Sequence, residues 1–170
     1  MSFVEVPAGS SLKAKYGHAS YQDCFNSTLE ASDHRGPVGL FFGMLHPAPR
    51  WVSTLMALRN FLVKFVGLET TSKGSSGIQK PEAEYRVGDK IDFFKIISLS
   101  ENEVVVTAHD KHLDSFFSLY IDENKAGREV FMTSVVETKG RLGNIYMFFV
   151  APFHRLIVSQ MLKRLTLLRD

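Results

Sequence analysis

A single cysteine, Cys24, stands in a chain of 170 residues, so no internal disulfide can form. That fits a reducing compartment, with the cytoplasm as the default expectation, and a buried, unreactive thiol. An excess of one charge sign is also missing. Twenty Lys and Arg stand against eighteen Asp and Glu, and basic doublets such as Lys163 and Arg164 are scattered, which argues against a nucleic-acid partner. No uncharged run reaches the roughly 20 residues that a spanning helix needs. The longest apolar one, 142–154, ends at Arg155, so a core helix rather than a transmembrane segment is expected. The opening MSFVEVPAGS has no basic stretch ahead of an apolar one, and no secretory signal is expected. Repeats and low-complexity tracts are absent, and Gly36, Gly39 and Gly43 do not follow a strand at phosphate-loop spacing.

What is present is apolar: 45% of residues are hydrophobic, only 22% are charged, and fourteen are phenylalanine. These proportions suit a single domain over 1–170, with 1–18 as a poorly ordered or extended lead-in and 69–84, rich in Gly, Ser and Lys, as a flexible loop. The phenylalanines fall into three groups, each expected to mark one core layer. Apolar residues at steps of three and four predict a short helix near 38–45. A longer one carries Trp51, Leu55, Leu58, Leu62 and Phe65, preceded by Pro47 and Pro49 and stopped by Gly67. From residue 92 the period shifts to two, predicting strands over 92–99, 103–109, 113–121 and 129–138, with short turns that make an antiparallel meander. An earlier strand is expected at about 19–29. The last long element, 142–161, reads LGNIYMFFVAPFHRLIVSQM, and the spacing of Tyr146, Phe149, Val150, Phe153, Leu156, Ile157 and Met161 predicts a helix with that face gripped by the sheet.

The order of strand, two helices, four strands and long helix resembles the helix-grip fold of the START-like or SRPBCC superfamily, to which the birch pollen allergen belongs. The stretches DKHLD at 110–114, TSVVETKGRLGNIYM at 133–147 and PFHRLIVSQM at 152–161, with RWVSTLMALRNFLVKFVGL at 50–68, resemble an uncharacterised bacterial domain family of that superfamily. The resemblance implies an α+β fold, an antiparallel sheet wrapped around the C-terminal helix, with two helices between the first and second strands. It further implies an apolar cavity for a small lipophilic molecule of lipid, sterol or polyketide type. Domain fusions in the resembling family imply a third reading, an interaction module that partners a dehydrogenase-like protein.

Trp51, Leu55, Phe117, Leu119, Tyr146, Phe149, Phe153 and His154 are the expected pocket residues, the last bringing a polar tip to apolar walls. No catalytic residue is assigned. His154, and the pair His112 and Asp114, are the candidates should the domain be a cyclase or dehydratase moving protons. His154 also has a plain structural reading, satisfying carbonyls freed by Pro152. His109, Asp110, His112 and Asp114 cluster in sequence, but His109 and His112 point to opposite sides of a strand turn, so no metal and no other cofactor is expected. A turn stabilised by Asp110, with His112 pairing Asp114, is the simpler reading. Binding rather than chemistry leads.

Overall fold

The computed structural model describes residues 4–46, 51, 80–124 and 127–165. The period-two segments form strands β1 (Tyr21–Thr28), β2 (Lys90–Ile91), β3 (Phe94–Leu99), β4 (Glu103–His109), β5 (Leu113–Asn124) and β6 (Gly127–Thr138). They make one open antiparallel sheet in the order β1-β6-β5-β4-β3-β2, with the first strand hydrogen-bonded to the last. Helix α1 (Pro37–Leu45) follows β1, and helix α2 (Gly140–Leu165) follows β6. The architecture is α+β, consistent with a helix-grip-like arrangement. The second helix expected before β2 lies outside the described residues apart from Trp51, as do Leu55 and most of the 69–84 loop. The strand expected from residue 92 starts later, because Asp92 at φ 55° turns the chain between β2 and β3, and β2 is an edge strand that the sequence pattern did not reveal.

Antiparallel register puts facing residues on the same side of a sheet. The rows Phe25, Met132, Leu119, Val104 and Asp23, Ser134, Phe117, Val106 therefore face the helices. On this side Phe41, Leu40, Met44, Phe94, Ile96, Leu119, Met161, Leu162 and Leu165 pack into the main core, with Phe94 meeting Phe41 and Phe117 edge-on at 5.7 and 5.3 Å. The helix is seated close at its start. Gly140 at φ 76° turns the chain out of β6, and a Cβ on Gly143 would come within 2.5 Å of the His112 carbonyl oxygen.

The seated face of α2 differs from the expected one. Gly143, Met147, Val158, Met161, Leu162 and Leu165 are buried, with Ala151 and His154 half-buried between them, a continuous 3.6-residue stripe. Phe149 and Phe153, expected inward, are 63% and 50% exposed, and Leu156 is 48% exposed. The third phenylalanine group is thus no core layer. Apolar residues occupy both sides of α2, and the small Gly143 and Ala151 decide which side can approach the sheet. Helix α2 runs through Pro152, which faces outward.

Residues 4–18 of the lead-in run as a strap against the sheet. Residues 11–18 form successive turns across the far face of the sheet, where Val6 packs with Cys24, Tyr120 and Phe131, and Leu12 packs with Val105 and Val135. Glu103, only 4% exposed, anchors this strap. Its carboxylate accepts hydrogen bonds from the Ser10 hydroxyl at 2.7 Å, the Ser11 backbone N–H at 3.0 Å, the Ser11 hydroxyl at 2.5 Å and the Ser118 hydroxyl at 2.5 Å. A buried carboxylate is tolerated when its lone pairs are filled in this way.

The face assignment of α2 makes a direct prediction. Leu162→Ala, at a fully buried position, should destabilise by about 2–5 kcal/mol, whereas Phe149→Ala should stay within about 0.5 kcal/mol of the parent. Urea unfolding of the two variants checks this, and comparable losses would mean that Phe149 is seated on the sheet.

Candidate functional site

Alternation along β1 sends Tyr21, Asp23 and Phe25 toward α2 and Gln22, Cys24 and Asn26 toward the strap. Asp23 is 0% exposed, and the element it meets is α2 at His154, whose side chain is 20% exposed. His154 Nδ1 lies 3.2 Å from Asp23 Oδ2 and 3.5 Å from the Tyr21 hydroxyl, and that hydroxyl donates to the same carboxylate oxygen. In the tautomer whose Nδ1 donates to the carboxylate, Nε2 is left as the acceptor. Among the described residues Nε2 meets no hydrogen-bond partner. Phe117 stacks on the imidazole with centroids 5.9 Å apart, Tyr21 meets it edge-on at 5.6 Å, and the Arg155 guanidinium lies 5.4 Å from the centre of the Tyr21 ring.

Among the described residues two buried polar atoms here have no partner: Asp23 Oδ1 and Ser134 Oγ. They belong to directly facing residues of β1 and β6, so both orphans fall in one row beside His154 and Phe117. Leaving such atoms unpaired typically costs about 1–3 kcal/mol each, and sites that tolerate the penalty are often functional. Tyr21 is tuned as well. Burial first, then the charge and hydrogen bond of Asp23, push its hydroxyl far above the ordinary tyrosine range, with Arg155 pulling the other way. Tyr21 is therefore a proton donor and not a base at neutral pH.

Tyr21 also forms a wall of an open groove of about 460 Å³ between the start of β1, the end of β6 and the first half of α2. Met147, Phe148, Ala151 and Pro152 supply its apolar lining, and Ser20, Thr138, Asn144 and Arg155 its polar groups. The Tyr21 side chain stands between this groove and the Asp23–His154 pair. A second open groove, of about 470 Å³, lies at Ala31, His34, Glu123, Gly127 and Arg128.

Of the residues expected to line a pocket, Phe117, Leu119 and His154 lie between sheet and helix, with Leu119 fully buried. Tyr146 is half-buried against Tyr21, Leu113, Val136 and Met147. Trp51, 39% exposed, and Phe149 and Phe153 face outward, and Leu55 lies outside the described residues. His112 and Asp114 do not pair. Asp114 Oδ1 instead accepts from Lys139 Nζ at 2.6 Å and lies 2.7 Å from His109 Nδ1. Burial would raise the Asp114 carboxyl, but the hydrogen bonds from Lys139 and His109 outweigh it and hold it below the usual carboxylate range. Asp110 caps its turn as expected, accepting from the His112 backbone N–H at 2.6 Å. The Cys24 thiol is buried and pushed upward by that burial, which leaves it unreactive. Tyr21, Asp23 and Ser134 were missed from the sequence. The available signal was a lone carboxylate on the otherwise apolar Tyr21, Asp23, Phe25 side of β1.

Because folded Tyr21 holds its proton more tightly than the unfolded chain does, its contribution to stability is complete below about pH 10 and is lost as pH rises from there toward the folded value. Tyr21→Phe should flatten the alkaline fall in melting temperature above about pH 10. Thermal melts across that range check it, and an unchanged slope would assign the fall to other groups.

No curated protein matches the chain. Residues 15–161, most of its length, match the model of the DUF2867 family, described as a protein of unknown function, and the chain belongs to that family.

Proposed function

We propose that the chain binds a small lipophilic molecule bearing one polar or anionic group, in the manner of START-like or SRPBCC helix-grip domains. The observation that carries this reading is the groove at the β1–α2 mouth. It sets the apolar side chains of Met147, Phe148, Ala151 and Pro152 opposite Arg155, Ser20, Thr138 and Asn144. Apolar walls with a few convergent polar groups are the usual form of a ligand site, the walls giving affinity and the polar groups orientation. The interior between sheet and helices, where a deep cavity was expected, is occupied among the described residues by Phe41, Phe94, Phe117, Leu119 and Leu162. The ligand would accordingly sit at the mouth, against the Tyr21 ring. Native mass spectrometry of protein purified from cells should show a retained lipophilic passenger. Pro152→Trp, at an exposed position on the groove wall, should abolish retention without lowering the melting temperature by more than a few degrees. A parent protein that retains nothing, and takes up no fatty acid or sterol from a test panel, would refute the reading.

A second reading is supported by the Asp23–His154 contact. A histidine whose Nδ1 is held by a buried carboxylate and whose Nε2 is unpartnered is arranged as a general base, with Tyr21 beside it as a donor. On this reading the domain moves protons on its ligand, as a cyclase or dehydratase does. A passenger extracted after incubation in deuterated water should then carry deuterium at carbon, and His154→Gln should remove the label while passenger retention persists. No label in the parent protein would leave His154 as a binding and structural residue only.

A further inference from the structure

Helix α2 has a second, outward apolar face. Leu142, Ile145, Phe148, Phe149, Phe153 and Leu156 are exposed by 44, 55, 76, 63, 50 and 48%. Steps of three and four place them on one side of the helix, over roughly 20 Å of its length. Isolated exposed apolar residues are ordinary, but a contiguous row of this size with two adjacent phenylalanines marks a contact surface.

The charges around that row select its partner. Throughout α2 there is no Asp or Glu, although the chain has eighteen. The cations are placed in register with the apolar row: Arg141, Phe148 and Arg155 follow one another at seven-residue steps along one line, and Leu142, Phe149, Leu156 and Lys163 along the adjacent line. Phenylalanines that can enter an apolar layer, with arginine and lysine beside them and no carboxylate on the helix itself, are the composition of a helix lying in a lipid interface. By length and composition α2 is apolar enough to cross a membrane. Its other face is seated on the sheet through Met147, Val158, Leu162 and Leu165, so it can meet a bilayer only side-on. A second copy of the chain fits less well, since pairing two such faces would bring like-charged residues together.

We infer that the outward face of α2 docks the domain onto an anionic lipid surface, with Phe149 and Leu156 entering the acyl boundary and Arg141 and Lys163 facing phosphate headgroups. This does not depend on the groove being a ligand site, because none of these four residues lines it. The test is co-sedimentation of the full chain with phosphatidylcholine vesicles, with and without phosphatidylglycerol. Binding should appear with the anionic vesicles and weaken as salt is raised. Phe149→Ser with Leu156→Ser should lower partitioning about tenfold or more at an unchanged melting temperature. Arg141→Gln with Lys163→Gln should weaken anionic vesicle binding while leaving the weak binding to neutral vesicles as it was. The inference is overturned if the parent chain does not partition at low salt or if the serine variant partitions equally. It is also overturned if the serine variant unfolds, which would make the face internal, or if light scattering shows a dimer that the serine substitutions dissolve, which would make a second copy the occupant.

Discussion

The pairing of the first strand with the last is the constraint on which the molecule depends. From Tyr21 against Val136 to Thr28 against Glu129, β1 and β6 run in unbroken antiparallel register. That register sets Asp23 opposite Ser134, which in turn faces Phe117, and so brings a carboxylate, a hydroxyl and an aromatic ring into one row from distant parts of the chain. Helix α2 leaves β6 directly and returns over β1, which lowers His154 onto that row. Neither the buried pair nor the groove at Tyr21 exists until this closure is made.

The row contains an energetic conflict. A carboxylate taken fully out of water needs its lone pairs filled, and Glu103 on the far face shows how the chain does so, with two serine hydroxyls, a backbone N–H and a third hydroxyl converging on it. Asp23 is buried more completely, but among the described residues it receives only Tyr21 and His154 on one oxygen and nothing on the other. Glu103 has the bonding of a structural anchor. Asp23 has that of a group held ready for something else, which is the pattern seen where stability is given up for function.

The strands from 103 to 138 were legible in the sequence because alternation on a half-buried sheet is a strong, local signal, and β4 was placed to the residue. Helix α2 was legible as a helix but not in its orientation. Periodicity locates an apolar stripe, and α2 has two, so the larger outward phenylalanines outweighed the seated stripe of Gly143, Met147, Ala151, His154 and Val158. Only the position of the sheet breaks that tie, and it selects the side whose small residues allow close approach. The candidate site was half legible. His154 stood out as a polar residue in an apolar helix, but its partner Asp23 is 131 residues away, and no local pattern connects two such positions. The pairing assumed for His112 with Asp114 followed strand alternation, whereas the cross-strand neighbour of Asp114 is His109.

The strap that crosses the far face precedes β1 in the chain, yet its seat is made of β4, β5 and β6. Leu12 rests on Val105 and Val135, and Ser10 and Ser11 on Glu103. Contacts so remote along the chain are slow to form, and each waits for the loop between its ends to close. The strap thus has nowhere to lodge until the meander is complete, and for that interval Val6, Leu12 and the underside of the sheet are open to whatever chaperone or neighbouring chain reaches them first.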